Sequence, residues 1–229
     1  MDQIDIDDKY VESAAYHEAG HVVVAAVQDM PLRNLGVHID SLGCGKAFYW
    51  RRLPDGSRNN CGSDLERERT IISASAGLIA QKRFYSHSLR NDVERYMEVC
   101  AKDDTALIIE LLEEMYSGDR HAWFSARASL HSESIRLVEL HGRAVDALAK
   151  HILTRERVPR DRQTDKDGRW SVDDREKWLH GCEIVPVLEL FKISAFIVDD
   201  SRGSYEPRLG PVGSGTSVLQ NSVPGLRHD

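Results

Sequence analysis

His17-Glu18-Ala19-Gly20-His21 is the run of this 229-residue sequence whose residue types and spacing can do chemistry. Two histidines four apart on a helix project from one face with the intervening glutamate beside them, and that is the arrangement a catalytic zinc ion requires. Neutral imidazoles of His17 and His21 would ligate the metal, and Glu18 would hydrogen-bond the water in its open position. Zinc held this way lowers the pKa of its water toward ~7 and steadies the oxyanion. Glu18 takes the proton as the water attacks a peptide carbonyl and returns it to the leaving amine.

The surroundings of the motif strengthen it. The run lies in a predicted helix from about Tyr10 to Gln28, and Val22 to Val27 reads Val-Val-Val-Ala-Ala-Val, apolar on every side. A helix of that kind belongs inside a protein. Three ionisable side chains on it would each cost roughly 1–3 kcal/mol unless something satisfies them, and one metal ion satisfies all three. Gly20 fits the same picture: glycine inside a helix costs about 1 kcal/mol against alanine, so its presence suggests that another backbone passes close by.

Other histidines do not extend the site. His121, His131, His141 and His151 recur every ten residues, but ten helical residues turn the direction by roughly 80°, so successive members leave any common face. A third histidine six residues after the motif is excluded, because Val24 and Val27 stand where that pattern needs glycine and histidine. The third ligand must be a carboxylate from further along, and the best candidate is Asp92 in Leu89-Arg90-Asn91-Asp92-Val93-Glu94, 92 − 21 = 71 residues after the second histidine. Asn91 and Asp92 also look like the start of an amphipathic helix from Val93 to Tyr116, so Asp92 reads equally well as a helix cap.

Tyr16-His17-Glu18-Ala19-Gly20-His21-Val22 resembles the active-site helix of the peptidase domain of FtsH-type ATP-dependent zinc proteases. The order of the later segments is also similar: a glycine before an aromatic strand (Gly45-Lys46-Ala47-Phe48-Tyr49-Trp50), a small-residue helix (Ser73-Ala74-Ser75-Ala76-Gly77-Leu78-Ile79-Ala80), then Asn91-Asp92 opening a helix. The similarity spans roughly Val11 to Met115. It implies a zincin-like fold and gives Asp92 the role of third zinc ligand. Gln81 and Lys82 replace the family's carboxylates after the small-residue helix, and Ser86-His87-Ser88-Leu89-Arg90 replaces a glycine-containing turn. These departures leave the ligand set intact and bear on the shape of the substrate cleft.

The family's ATPase and transmembrane parts are not expected. Gly45-Lys46 is not a phosphate loop, since Asp40 stands where its first glycine belongs and Ala47 where it needs Ser or Thr. Without a motor, the expected substrates are flexible or unfolded polypeptides, or chains delivered by a separate unfolding partner. The strand around Ala47 to Trp50 would pair with an extended substrate or serve only as a core or hairpin strand. Tyr16 and the later histidines are unranked candidates for a second donor to the oxyanion.

Composition sets the remaining bounds. A net charge of −7 argues against nonspecific nucleic-acid binding. No apolar run approaches the roughly 20 residues that span a bilayer, the acidic start is unlike a secretory signal, and a cytoplasmic location is expected. Cys44, Cys61, Cys100 and Cys182 form no Cys-x-x-Cys pair and read as free thiols. The fold expected is mainly α with a small β-sheet. Helices are predicted over about 10–28, 64–85, 92–116 and 120–154, short strands over about 35–51, and a further helix over 172–180. Residues 1–155 would form the peptidase domain, 156–198 a charged linker with a helical or apolar appendage interrupted by Pro186, and 199–229 a disordered tail rich in Gly, Ser and Pro. Two other functions stay open: a zincin-fold regulatory or partner-binding protein that keeps its zinc without protease activity, and a zinc hydrolase of a non-peptide amide. Substrate identity and oligomeric state are not legible.

Overall fold

A computed structural model describes residues 6–40, 45–49, 63–84, 101–159 and 175–198. It is mainly helical with one small mixed sheet. The first helix, α1 (Ile6–Val27), is the axis of the molecule. Ala15, Ala19, Val23, Val24 and Ala25 are fully buried, as expected of a helix apolar on all sides. Around it pack β1 (Leu32–Ile39), β2 (Gly45–Tyr49), α2 (Asp64–Phe84) and the later helix α5 (Gly142–Thr154). Between α2 and α5 in sequence come α3 (Lys102–Met115) and α4 (Arg120–Leu140), both packed on α2.

α1 and α2 approach closely because small residues face each other. A Cβ on Gly20 would lie 2.6 Å from both the Ala76 carbonyl oxygen and the Ala80 Cβ. The passing backbone that the mid-helix glycine implied is therefore α2. Such an approach lets side chains of one helix reach the main chain of the other, which the site exploits.

The sheet is ordered β2-β1-β4-β3, where β3 is Arg157–Pro159 and β4 is Arg175–Leu179. These pairs are antiparallel, and β5 (Ile197–Val198) runs parallel to β1 at Leu32 and Arg33. Strand β2 pairs with β1 alone among the described residues, so it is a sheet edge. Its register, Val37↔Ala47, His38↔Lys46 and Ile39↔Gly45, turns Gly45, Ala47 and Tyr49 toward α1 and Lys46 away.

Two expectations change. The helix expected across 120–154 breaks at His141, which ends α4 and begins α5 at φ −104°, ψ 18°. Gly142 packs against the Phe84 ring of α2 there, where a Cβ would stand 2.7 Å from Phe84 Cζ. Within the helix expected over 172–180, Arg175–Leu179 form strand β4 instead. Arg-Glu-Lys-Trp-Leu is too poor in apolar residues for a buried helical stripe, whereas pairing with β1 buries Leu179 opposite Val37. Lys177 on that strand donates from Nζ to the Leu153 and Arg155 carbonyls at 2.7 and 2.6 Å, closing the C-terminal end of α5.

The apolar segment of uncertain type after Glu183 belongs to α6 (Gly181–Glu189), which contains Pro186, followed by β5. Its start is fixed by a capping box between His180 and Glu183. Segment 175–198 thus supplies the strand between β1 and β3, and buries Ile184 and Leu188 in the common core. The linker residues 160–174 and the tail 199–229 lie outside the described residues. No helix among the described residues is long and apolar enough to cross a membrane. Cys182 is an exposed free thiol.

Candidate metal centre

His17 and His21 lie one turn apart on the face of α1 that meets α2, and both are nearly fully buried, 4 % and 3 % exposed. The residues of α2 that surround them are spaced by four: Ser73, Gly77 and Gln81. Each does something different. The Ser73 carbonyl faces His21 Nδ1 at 2.8 Å, and Gln81 Oε1 faces His17 Nδ1 at 3.1 Å. Gly77 lies directly under both rings, where a Cβ would run into His21 Nε2 and stand 2.7 Å from His17 Nε2.

The third wall comes from the first turn of α3. Asp104 Oδ2 lies 3.1 Å from His17 Nε2 and 3.0 Å from His21 Nε2, and the two Nε2 atoms are 3.0 Å apart. The three atoms form a nearly equilateral triangle, and the Asp104 residue is only 8 % exposed. The rings meet edge to face, with centroids 4.6 Å apart.

The protonation chemistry of this triangle is constrained. A backbone carbonyl can only accept a hydrogen bond, so Ser73 fixes a proton on His21 Nδ1, and in the neutral ring Nε2 then carries a lone pair. Gln81 Oε1 has the same effect on His17. Two imidazole lone pairs and a carboxylate oxygen therefore converge within about 3 Å of one another, away from water. A proton can bridge only two of them at a time. A metal cation satisfies all three, and the outward Nδ1–H bonds are the usual supports of a ligating histidine. His17, His21 and Asp104 thus form a buried triad able to hold a metal ion.

Glu18 follows His17 on α1 and is equally buried, 4 % exposed. It faces the edge strand, where a Cβ on Gly45 would stand 2.5 Å from its Oε1. Four residues along β2, the Tyr49 ring lies 6.1 Å from that of His21. The strand therefore runs alongside the turn of α1 that carries the motif, from Glu18 to His21.

Of the residues expected from sequence to form the site, His17, Glu18 and His21 come together. Asp92, expected as the third ligand, lies outside the described residues, as do the turn before it and Glu94. The carboxylate placed at the histidines is Asp104, 104 − 21 = 83 residues after His21. In the sequence Asp103-Asp104 lies inside the helix expected over 92–116, whereas α3 starts at Lys102 and puts the pair in its first turn. Tyr16 is not free to serve the oxyanion: its hydroxyl donates to Asp146 on α5 at 3.0 Å. Burial, and then that hydrogen bond and the Asp146 charge, push its pKa up to about 12. His121 and His131 are exposed, and neither they nor the half-buried His141 and His151 join the triad.

No protein-family model matches this chain. A search of curated proteins likewise finds no match.

Proposed function

We propose that this chain is a zinc metallopeptidase of zincin-like design that hydrolyses peptide bonds in flexible or unfolded polypeptides. What carries the reading is the triangle of His17 Nε2, His21 Nε2 and Asp104 Oδ2, with edges of 3.0–3.1 Å, beside the buried carboxylate of Glu18. Zinc with three protein ligands at about 2.0–2.1 Å in tetrahedral geometry spaces its donors by about 3.3 Å. Opening the triangle by a few tenths of an ångström fits the ion and leaves its fourth position for water. Two neutral imidazoles and one carboxylate are a donor set typical of catalytic zinc.

Bound there, zinc would supply an acidified water and positive charge for a developing oxyanion. The protein's own groups divide the rest. Ser73 and Gln81 hold each ring by its Nδ1 and keep each Nε2 aimed inward. Glu18 accepts the proton of the attacking water at its carboxylate and hands it to the departing amine nitrogen. Strand β2, which pairs with β1 alone among the described residues and runs beside Glu18, is where an extended polypeptide would add through main-chain hydrogen bonds without regard to side-chain sequence. The resemblance of Tyr16 to Val22 to the active-site helix of FtsH-type peptidases supports the same reading.

The test is cleavage of casein and of a peptide library by the purified chain. Activity should require zinc and disappear in Glu18→Gln, with the metal still bound. One observation favours a second reading, a regulatory or partner-binding protein that keeps zinc without turnover: all four site residues are at most 8 % exposed. A chain that binds zinc, cleaves nothing and is indifferent to Glu18→Gln in its native setting establishes that reading instead.

A further inference from the structure

The two histidines are supported by unlike partners. His21 Nδ1 faces a main-chain oxygen, which any residue at position 73 would provide. His17 Nδ1 depends on a side chain, Gln81, which is 1 % exposed and sits on the α2 face that packs against α1. A buried amide there carries a desolvation cost unless both its ends are used. Both are: Oε1 lies 3.1 Å from His17 Nδ1, and Nε2 donates to Ser13 Oγ at 2.8 Å. Ser13 is fully buried, one turn before His17 on α1.

We propose that Gln81, steadied by Ser13, is the positioning residue that keeps His17 in the tautomer a metal ion needs, and that its neutral amide sets how tightly the site holds the ion. The inference rests on the metal-site reading above. An amide has an accepting and a donating end. With Oε1 toward His17, the ring proton sits on Nδ1 and the Nε2 lone pair points at the triangle. With the amide reversed, its NH2 donates to Nδ1, the ring proton moves to Nε2, and that N–H points at Asp104 Oδ2, 3.1 Å away. The second arrangement closes the site to a cation. In the structure Ser13 Oγ accepts from the NH2 end at 2.8 Å, and this bond tethers the amide with Oε1 toward His17. A carboxylate in place of the amide would hold the ring the same way, with a negative charge behind it that strengthens the ligand.

The experiment is zinc titration of the full chain against a chromogenic chelator. Gln81→Met keeps the length and removes both polar ends, and it should weaken zinc binding about 10- to 100-fold, the usual effect of losing such a support. Gln81→Glu should bind at least as tightly as the wild type. Ser13→Ala frees the amide to reverse, and it should weaken binding about three- to tenfold, as expected for one lost neutral hydrogen bond. Ring-nitrogen NMR of the zinc-free protein should move from the Nδ1–H form of His17 toward the Nε2–H form in Ser13→Ala. Equal zinc affinity in Gln81→Met and the wild type overturns the proposal. So does failure of Gln81→Glu to restore binding, which would mark the loss as one of packing. If Gln81→Met does not fold, an unchanged affinity and ring spectrum in Ser13→Ala overturn it. A wild-type chain that binds no zinc removes the metallopeptidase reading as well, whereas zinc binding indifferent to residues 13 and 81 removes this proposal alone.

Discussion

Gly77→Ala asks whether the two imidazoles stand against α2 as described. The added methyl would lie 2.7 Å from His17 Nε2 and 2.6 Å from His21 Cε1, while ordinary contact begins near 3.4 Å. Both rings must therefore retreat, His17 by about 3.4 − 2.7 = 0.7 Å and His21, whose Nε2 is nearer still than its Cε1, by more than about 3.4 − 2.6 = 0.8 Å. Metal–ligand distances tolerate only about 0.2 Å, so the displaced pair cannot share an ion. The fold itself should survive. Overpacking costs about 1–3 kcal/mol, and alanine returns about 1 kcal/mol over glycine inside a helix. The assay is thermal unfolding with and without zinc. At a hundred times its Kd, a ligand specific to the folded state adds about 2.7 kcal/mol. In a chain of this size that amount raises Tm by about 5–10 °C. The wild type should show the rise, and Gly77→Ala, at the same zinc concentration, should show none. An equal rise in a folded Gly77→Ala protein would falsify the placement of the ligands over this glycine.

Three further outcomes are expected. Asp104→Ala should lose zinc by elemental analysis after dialysis; if it keeps the metal while Asp92→Ala loses it, the third ligand is Asp92. Gly45→Ala, whose Cβ would stand 2.5 Å from Glu18 Oε1, should displace that carboxylate by about 1 Å and lower casein cleavage about 10²-fold, with zinc content unchanged; cleavage within threefold of wild type would remove Glu18 from the role of base. Burial, followed by the Arg136 charge, holds His141 below its ordinary value of 6.5. Its contribution to stability is therefore present above pH 6.5 and lost as pH falls through the lowered folded value. The urea midpoint should thus drop less between pH 7.5 and 5 in His141→Gln than in the wild type, and an equal drop would count against it.

What the sequence made legible was local. An all-apolar helix interrupted by His17, Glu18 and His21 announces burial, and a glycine inside it announces a close neighbour; α1 and its contact with Ala76 and Ala80 answer both. What the sequence hid was set by distant pairing. Arg175 to Leu179 has weak propensity for any element, and β1 makes it a strand by burying Leu179.

The same limit governs the carboxylate. An acidic residue in the first turn of a helix is favoured by the helix dipole wherever that helix points, and the sequence placed Asp103-Asp104 inside a helix expected over 92–116, whereas α3 begins at Lys102. It is the packing of α3 on α2 that brings Asp104 to the histidines. The support for His17 is hidden in the same way: Gln81 is an ordinary helix former in sequence, and it acquires its task from Gly20, which lets α1 come near enough for the Gln81 amide to span Ser13 and His17. A substitution that separates the two helices, Gly20→Ala above all, should therefore uncouple the imidazoles from both Ser73 and Gln81 at once. Its effect on zinc affinity should exceed that of Gln81→Met, and affinity lost equally in the two variants would place the whole coupling in the amide.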